Sequence, residues 1–176
     1  MDRIPVLAIN LVLNTLIFAL AARMYLLPRL AELPAKAVLL PILLLHSTRH
    51  LGLMFLSPGA TYAGMPAEFA QPAAYGDLVA SLLAVASIAA LTANARIARP
   101  LLWLFTVEGS IDLVDAIFLA NVWKADAFMG PSYWIPAFWV PALLVTHYIV
   151  FRILLSSRLD TRRTTLVKNG AITHSP

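Results

Sequence analysis

Three carboxyl side chains lie within eight positions of one apolar stretch. Glu108, Asp112 and Asp115 are spaced i, i+4 and i+7, so a helix would carry all three on one face. A charged group at the centre of a membrane costs roughly 2.5–3.5 kcal/mol on insertion scales. The three acids therefore predict a helix face that is covered by protein and has buried carboxyls available for acid–base chemistry.

Basic side chains that are able to pair with these acids occur in two other apolar stretches. His46, Arg49 and His50 follow one another at i, i+3 and i+4, which predicts one helix face with two imidazoles and a guanidinium. The last apolar stretch adds His147, with Thr146 before it. Counting about 1.5 Å per residue from each predicted helix end sets the depth of every group. The resulting levels pair Asp112 with His46, Asp115 with Arg49 and His50, and Glu108 with His147.

Further polar residues fall at matching depths and extend these levels into a predicted cavity. Asn10 and Asn14 share one face of the first apolar stretch, and Asp77 lies at the predicted outer start of the third. We expect the first, second, fourth and fifth helices to enclose a polar cavity in the middle and outer half of the bilayer, with Asp77 at its mouth. The predicted catalytic residues are His46, Arg49, Glu108, Asp112, Asp115 and His147. The predicted cavity residues are Asn10, Asn14, His50, Asp77 and Thr146.

The residue types leave several kinds of chemistry open. Buried carboxyls beside histidines can protonate and deprotonate an apolar or amphipathic, isoprenoid-like substrate, as an isomerase does. A relay of Asp, Glu and His side chains would instead suit a proton-coupled carrier or a small subunit of a membrane complex. Buried acid–base pairs also hold helices together without any further role.

A metal ion or haem is a further alternative. His46, His50 and His147 would be the ligands, because imidazole binds zinc, iron and haem iron. Arg49 lies on the same predicted face as the first two histidines, and its fixed positive charge opposes a bound cation. The prediction is therefore that no cofactor and no metal ion is bound.

The elements that position these residues are membrane helices by composition. Hydrophobic residues make up 60% of the chain and charged residues 12%, with a mean hydropathy of +0.80, whereas soluble domains are about 25% charged. Five apolar stretches are long enough to cross a bilayer, namely 4–23, 36–56, 77–95, 100–122 and 134–155. They predict an all-α, polytopic membrane bundle in a single domain over 1–157, followed by a polar tail over 158–176. The first stretch is alternatively a signal peptide, since Ala19-Leu20-Ala21 is similar to a cleavage site.

The basic residues predict the orientation of the bundle. One side holds Arg23, Arg29, Lys36, Arg96, Arg99 and the bases of the tail, whereas the other holds Arg3 and Lys124. By the positive-inside rule the amino terminus faces out and the tail is cytoplasmic, in the inner cell membrane. Scattered bases do not form a nucleic-acid patch. The expected partners are the bilayer and a lipid-like ligand, and a homo- or hetero-oligomer stays open.

Two family resemblances accompany these patterns. Val107–Val114, which includes Glu108-Gly109 and Asp112, and the Gly130-Pro131-Ser132-Tyr133-Trp134 stretch resemble emopamil-binding-protein-like (EXPERA) membrane proteins. That resemblance implies five helices and a sterol-isomerase-like cavity of acids and histidines. Over most of its length the chain resembles small uncharacterised bacterial multi-pass membrane proteins, on the stretches at 46–49, 72–78, 111–113 and 145–147. The second resemblance supports the fold and the choice of residues and implies no activity.

Overall fold

The computed structural model describes residues 6–156, and the predicted tail at 158–176 lies outside the described residues. The described part is all-α, as the composition predicts. Its helices are α1 (Val6–Ala21), α2 (Ala35–Ser47), α3 (Ala67–Thr92), α4 (Ala98–Val122) and α5 (Val140–Leu155). Tighter or wider turns adjoin them: a π turn at Ala22–Leu26, a 3₁₀ extension of α2 at Thr48–Leu56, 3₁₀ turns at Ala125–Phe128 and Gly130–Tyr133, and a π turn at Ile135–Trp139.

Four helical segments are long and apolar enough to cross a membrane, and the chain is a membrane protein on this measure. They are Val6–Leu26, Ala35–Leu56, Ala67–Thr92 and Gly130–Leu155. The fourth α-helix, α4, is also long, with 25 residues, but it carries the three carboxyls and is not among these four apolar segments. Large apolar side chains cover the outside of the described segments, among them Leu16, Ile17, Leu82, Ile111 and Val114. An apolar exterior of this kind is what the hydrocarbon of a bilayer requires.

Four of the helices form a closed group around the polar site. The 3₁₀ extension of α2 packs against α3, α3 packs against α4, and α5 closes the ring against α4 and α2. The buried face of α3 consists largely of Ala and Ser, which lets neighbouring backbones approach closely. Apolar clusters occupy the two ends of this group, one around Leu39 and Leu102 and the other around Phe55 and Met129.

The third helix begins ten residues earlier than the sequence predicts. The prediction leaves residues 67–76 in a loop rich in Pro and Gly, yet they form the first turns of α3. Alanine, a strong helix former, is the most frequent residue of the segment, and Pro72 lies early enough in the helix that only one backbone hydrogen bond is lost. Asp77 therefore lies about 15 Å along the helix, at 1.5 Å per residue, and the prediction that it marks the outer end of the helix is wrong.

The first helix lies outside the group and contacts the last helix, the continuous helical segment Gly130–Leu155 that ends in α5. None of its residues is buried. Asn10 donates a hydrogen bond from Nδ2 to the Tyr133 hydroxyl at 3.3 Å, and Asn14 donates to the Ala137 carbonyl at 2.8 Å. Pro141 has no N–H, so the carbonyl four residues before it lacks its α-helical donor. The prediction that Asn10 and Asn14 belong to the acid–base cavity is wrong, because both amides bind the last helix.

The Asn14 side chain gives the Ala137 carbonyl the hydrogen bond that the N–H of residue 141 would otherwise donate, and this role can be tested. Asn14→Ala should lower the free energy of unfolding by about 1 kcal/mol, the scale of interhelical hydrogen bonds in membranes. In a Pro141→Ala background the same substitution should cost less, because the alanine has the backbone N–H that proline lacks and donates it to the Ala137 carbonyl. Unfolding of all four proteins in detergent gives the coupling energy. Equal costs in the two backgrounds would contradict this role.

Candidate functional site

The 3₁₀ extension of α2 selects which side chains of this segment enter the bundle. Three residues per turn align positions i, i+3 and i+6, and the buried residues of the extension are Arg49, Gly52 and Phe55. The last turn of α2 contributes His46 to the same stripe. His50 is exposed, with Nδ1 3.0 Å from the Ser47 carbonyl oxygen. The prediction that His50 lines the cavity is wrong, because it assumed α-helical geometry through this segment.

Arg49 is the centre of the site and joins four helices. Its side chain is fully buried. Nε lies 2.7 Å from Asp77 Oδ1 on α3, and Nη2 forms an ion pair with Asp112 Oδ2 on α4. Nη1 donates to the Gly109 carbonyl of α4 at 3.2 Å and lies 3.4 Å from His147 Nε2 on α5. Every nitrogen of the guanidinium therefore has a protein partner.

The two aspartates occupy different positions from those that the depth count predicts. Asp112 pairs with Arg49 rather than with His46, and Asp77 lies beside the same guanidinium rather than at a cavity mouth. Each carboxyl side chain is 12% exposed, although Arg49 between them is 0% exposed. The two carboxyls are therefore partly accessible, whereas the Arg49 guanidinium lies on their buried side.

A layer of two histidines lies behind the arginine. The His46 and His147 rings are in edge contact, with centroids 4.3 Å apart, and Phe105 packs against both. His46 Nε2 lies 2.9 Å from Thr146 Oγ1, whose hydroxyl donates to the Ala142 carbonyl. His46 Nε2 and the Thr146 hydroxyl are therefore within hydrogen-bond distance of each other. Both rings have a buried Nδ1 without a partner among the described residues.

The other two acids of α4 are not part of the ion-pair cluster. Asp115 is exposed on the outer surface of α4, so the predicted pairing with Arg49 and His50 is wrong. Glu108 is half-buried, and its Oε2 has no hydrogen-bond partner within the described residues. Residues spaced i, i+4 and i+7 occupy a broad face of a helix. Of the three acids on this face, Asp112 is the one that is directed toward α3 and the α2 extension.

Three glycines that the sequence patterns did not single out make room for the cluster. A Cβ at Gly109 would lie 2.7 Å from His147 Nε2 and 2.8 Å from Arg49 Nη1. A Cβ at Gly76 would overlap the Asp112 carboxyl, and one at Gly52 would overlap the Asp77 carboxyl. Each glycine lies within three positions of a charged member of the site along the chain. A glycine close to a charged residue inside an apolar helix was therefore the sequence pattern that could have identified these three positions.

A cavity of about 650 Å³ opens beside the two aspartates. Asp77 and Asp112 supply its polar end, and most of the wall is apolar, from α1, α3, α4 and the last helix, including Leu11, Phe69, Leu113, Ile117 and Val140. Lys124 and Asp126, just beyond α4, line the opposite end. The histidines, Arg49 and Glu108 do not line this cavity. It is therefore an apolar pocket with two acceptor groups at one end.

The histidines are not arranged to hold haem or a multi-ligand metal ion. His46 and His147 are in ring contact, which leaves no space for a porphyrin between them, and His50 is exposed elsewhere. Residues 6–156 contain no group of three or more His, Asp or Glu side chains placed around a common ion. The residues of this site therefore do not fit the haem alternative or the three-histidine metal set.

Fold and site define the class of this chain: a helical membrane protein with an arginine–aspartate centre beside an apolar cavity. The chain belongs to the family described as a domain of unknown function, DUF8737, whose model matches residues 6–155. The matched segment contains every residue of the site. No curated protein matches the chain, and no solved structure matches it.

Proposed function

We propose that this chain is an integral membrane protein whose cavity binds a small amphipathic molecule, of lipid or isoprenoid type. The observation that carries this proposal is the cavity itself. Its volume of about 650 Å³ lies within the range of roughly 300–1,000 Å³ that is usual for small-molecule sites. Its wall is largely apolar, with polar groups concentrated at the ends, as a molecule with an apolar body and a polar head requires.

The polar end indicates which head group the cavity takes. Ionised carboxyls only accept hydrogen bonds, so Asp77 and Asp112 call for a donor such as a hydroxyl or an amine. A carboxylate head group would face two like charges and lose its own hydration. Asp77 and Asp112 are also the groups placed to exchange a proton with a ligand, so isomerase-type acid–base chemistry would act through them. The histidines, behind Arg49, would position that pair.

The apolar end of the bundle favours binding over a proton-coupled carrier or relay. Beyond His46 the described core continues through Leu39, Leu43, Leu102 and Val150, all almost fully buried. A relay across the membrane needs polar side chains or water along its whole path. Among the described residues, the buried polar side chains on this side of the histidines are the hydroxyls of Ser87 and Thr106, set within an otherwise apolar core, which supports a cavity that opens on one side only.

Five crossings and an outward-facing cavity complete the proposal. α4 packs between α3 and α5 and carries Asp112 and Gly109 of the site, so it would cross the bilayer with them despite its acids. Bases follow α1 and α3 at Arg23, Arg29, Arg96 and Arg99, on the side away from the cavity end near Lys124. The positive-inside rule then orients the amino terminus outward and the cavity toward the outer face of the inner membrane. The EXPERA resemblance stays a prediction that is compatible with this arrangement.

Three amphiphiles with the same chain test the proposal. Dodecanol and dodecylamine should raise the unfolding temperature of the protein in nanodiscs, whereas dodecanoate should not. Asp112→Asn should weaken binding of the first two roughly tenfold or more, because a hydrogen bond to a charged group contributes about 1.5–3 kcal/mol. Each variant is compared with its own ligand-free sample, so a change in basal stability does not enter the result.

The matched control is Asp115→Asn. It makes the same chemical change one turn away on the exposed side of α4 and should leave the affinity unchanged. Equal binding of dodecanoate and dodecanol, or equal affinities of the Asp112→Asn variant and the parent, would refute the proposed cavity function.

A further inference from the structure

One wall of the cavity is packed less tightly against the rest of the protein than the other walls. Leu7, Ala8 and Leu11 of α1 form this wall, and Leu113 and Ile117 of α4 lie among the residues across from it. The remaining walls come from helices that pack tightly against one another around Arg49. α1 instead lies outside that group, and none of its residues is buried.

The contacts of α1 lie mostly on its side facing the last helix. They comprise the two asparagine hydrogen bonds to Tyr133 and Ala137 and an edge contact between Phe18 and Phe138, with ring centroids 5.3 Å apart. α1 makes no extensive packing contact with α4, although both helices border the cavity. The seam between α1 and α4 is therefore a loosely packed boundary of the cavity within the described residues.

We infer that the α1–α4 seam is a lateral entrance, and that the ligand is a membrane-resident lipid that enters from the bilayer rather than a solute from water. This inference rests on the proposed function. Leu11 and Ile117 close the seam, since both pack against the same cluster of Leu113, Val140 and Leu143. Both are partly buried side chains on apolar surfaces, so moving α1 aside exposes the cavity to hydrocarbon without separating an ion pair.

The opposite end of the cavity is less suited to an amphipathic ligand. Lys124 and Asp126 are exposed charged residues there, beside Phe128. An apolar body that entered by that route would have to pass both charges before it reached the apolar wall. A lipid entering through the seam would keep its chain in apolar surroundings throughout and bring only its head group past α4 to Asp112.

The chain has no cysteine, which permits a direct test by cross-linking. Leu11→Cys with Ile117→Cys places one thiol on each side of the seam. The protein is reconstituted in nanodiscs, a diazirine-bearing dodecanol is added, and labelling of cavity residues is read by mass spectrometry before and after a reducible cross-link. Cross-linking should lower cavity labelling at least fivefold, and reduction of the same sample should restore it.

Two controls separate the route from the function. Phe18→Cys with Phe138→Cys joins α1 to a helix that it already contacts, and its cross-link should leave labelling unchanged. A bulky thiol reagent on Lys124→Cys narrows the aqueous end and should also leave labelling unchanged. Full labelling with the seam cross-linked, or equal loss in the Phe18–Phe138 pair, would overturn the lateral entrance while the cavity function stands. Absence of cavity labelling in the protein without cysteines would refute both.

Discussion

Replacing Arg49 with methionine is expected to lower the free energy of unfolding by roughly 3–5 kcal/mol, the largest effect that we predict for a single side chain. Removal of one partner from a buried ion pair leaves an uncompensated charge, and here two carboxyls lose their partner at once. The Gly109 carbonyl and His147 also lose a donor. Denaturation of the purified protein in detergent, followed by circular dichroism, measures the loss.

Two further proteins separate the ion-pair network from the general cost of removing an arginine. Arg152→Met removes an exposed guanidinium that stacks on Tyr148 and should change stability by less than about 0.5 kcal/mol, as surface substitutions usually do. The triple variant Arg49→Met, Asp77→Asn, Asp112→Asn should be more stable than Arg49→Met alone, because no buried charge is left unpaired. A triple variant that is no more stable than the single one would contradict the network.

Adding a methyl group at Gly76 or Gly109 is expected to be the second most damaging kind of change. Alanine is favoured over glycine in a helix by about 1 kcal/mol, so propensity alone predicts that both variants are stabilised. The new Cβ would, however, overlap the Asp112 carboxyl in one case and press on Arg49 and His147 in the other. Overpacking of this kind costs typically 1–3 kcal/mol, and breaking the ion pairs adds to it. We therefore expect a net loss of about 1–3 kcal/mol for each substitution.

The control for these glycines is Gly59→Ala, which meets no atom within 4 Å. It should unfold at the temperature of the parent. Binding of dodecanol should weaken in Gly76→Ala, whose new methyl group displaces the Asp112 carboxyl, and should persist in Gly59→Ala. A stabilised Gly76→Ala or Gly109→Ala protein would show that the centre tolerates the added volume and that the close approach of these helices is not needed.

Several elements of this protein are predictable from local patterns along the chain. Long apolar runs identified the five α-helices of the described residues. The ends of α4, and of α2 taken together with its 3₁₀ extension, fall close to the predicted bounds at 100–122 and 36–56. Arg49, Asp112, His46 and His147 could be selected because each is a costly polar group inside an apolar helix. The start of α3 was missed because Pro72 and Gly76 favour a loop, although alanine is the most frequent residue between positions 67 and 76.

The partners of the selected residues could not be predicted in the same way. Depth counting assumed α-helical geometry from end to end, whereas the change to three residues per turn at Thr48 turns Arg49 inward and His50 outward. The spacing of Glu108, Asp112 and Asp115 could not show which part of their shared face would be covered. That choice depends on the rotation of α4 against α3 and α5, which is set by packing.

The sequence by itself therefore determined a bundle of apolar helices with a few ionisable side chains inside it, because hydropathy and the cost of burying charge are properties of individual residues. Only the tertiary structure decided that Arg49 contacts two aspartates and a histidine, and that three glycines leave room for this cluster. It also decided that an apolar cavity opens beside the Asp77 and Asp112 carboxyls. Those features depend on distances between atoms of different helices, and these are fixed by how the side chains of neighbouring helices fit against one another.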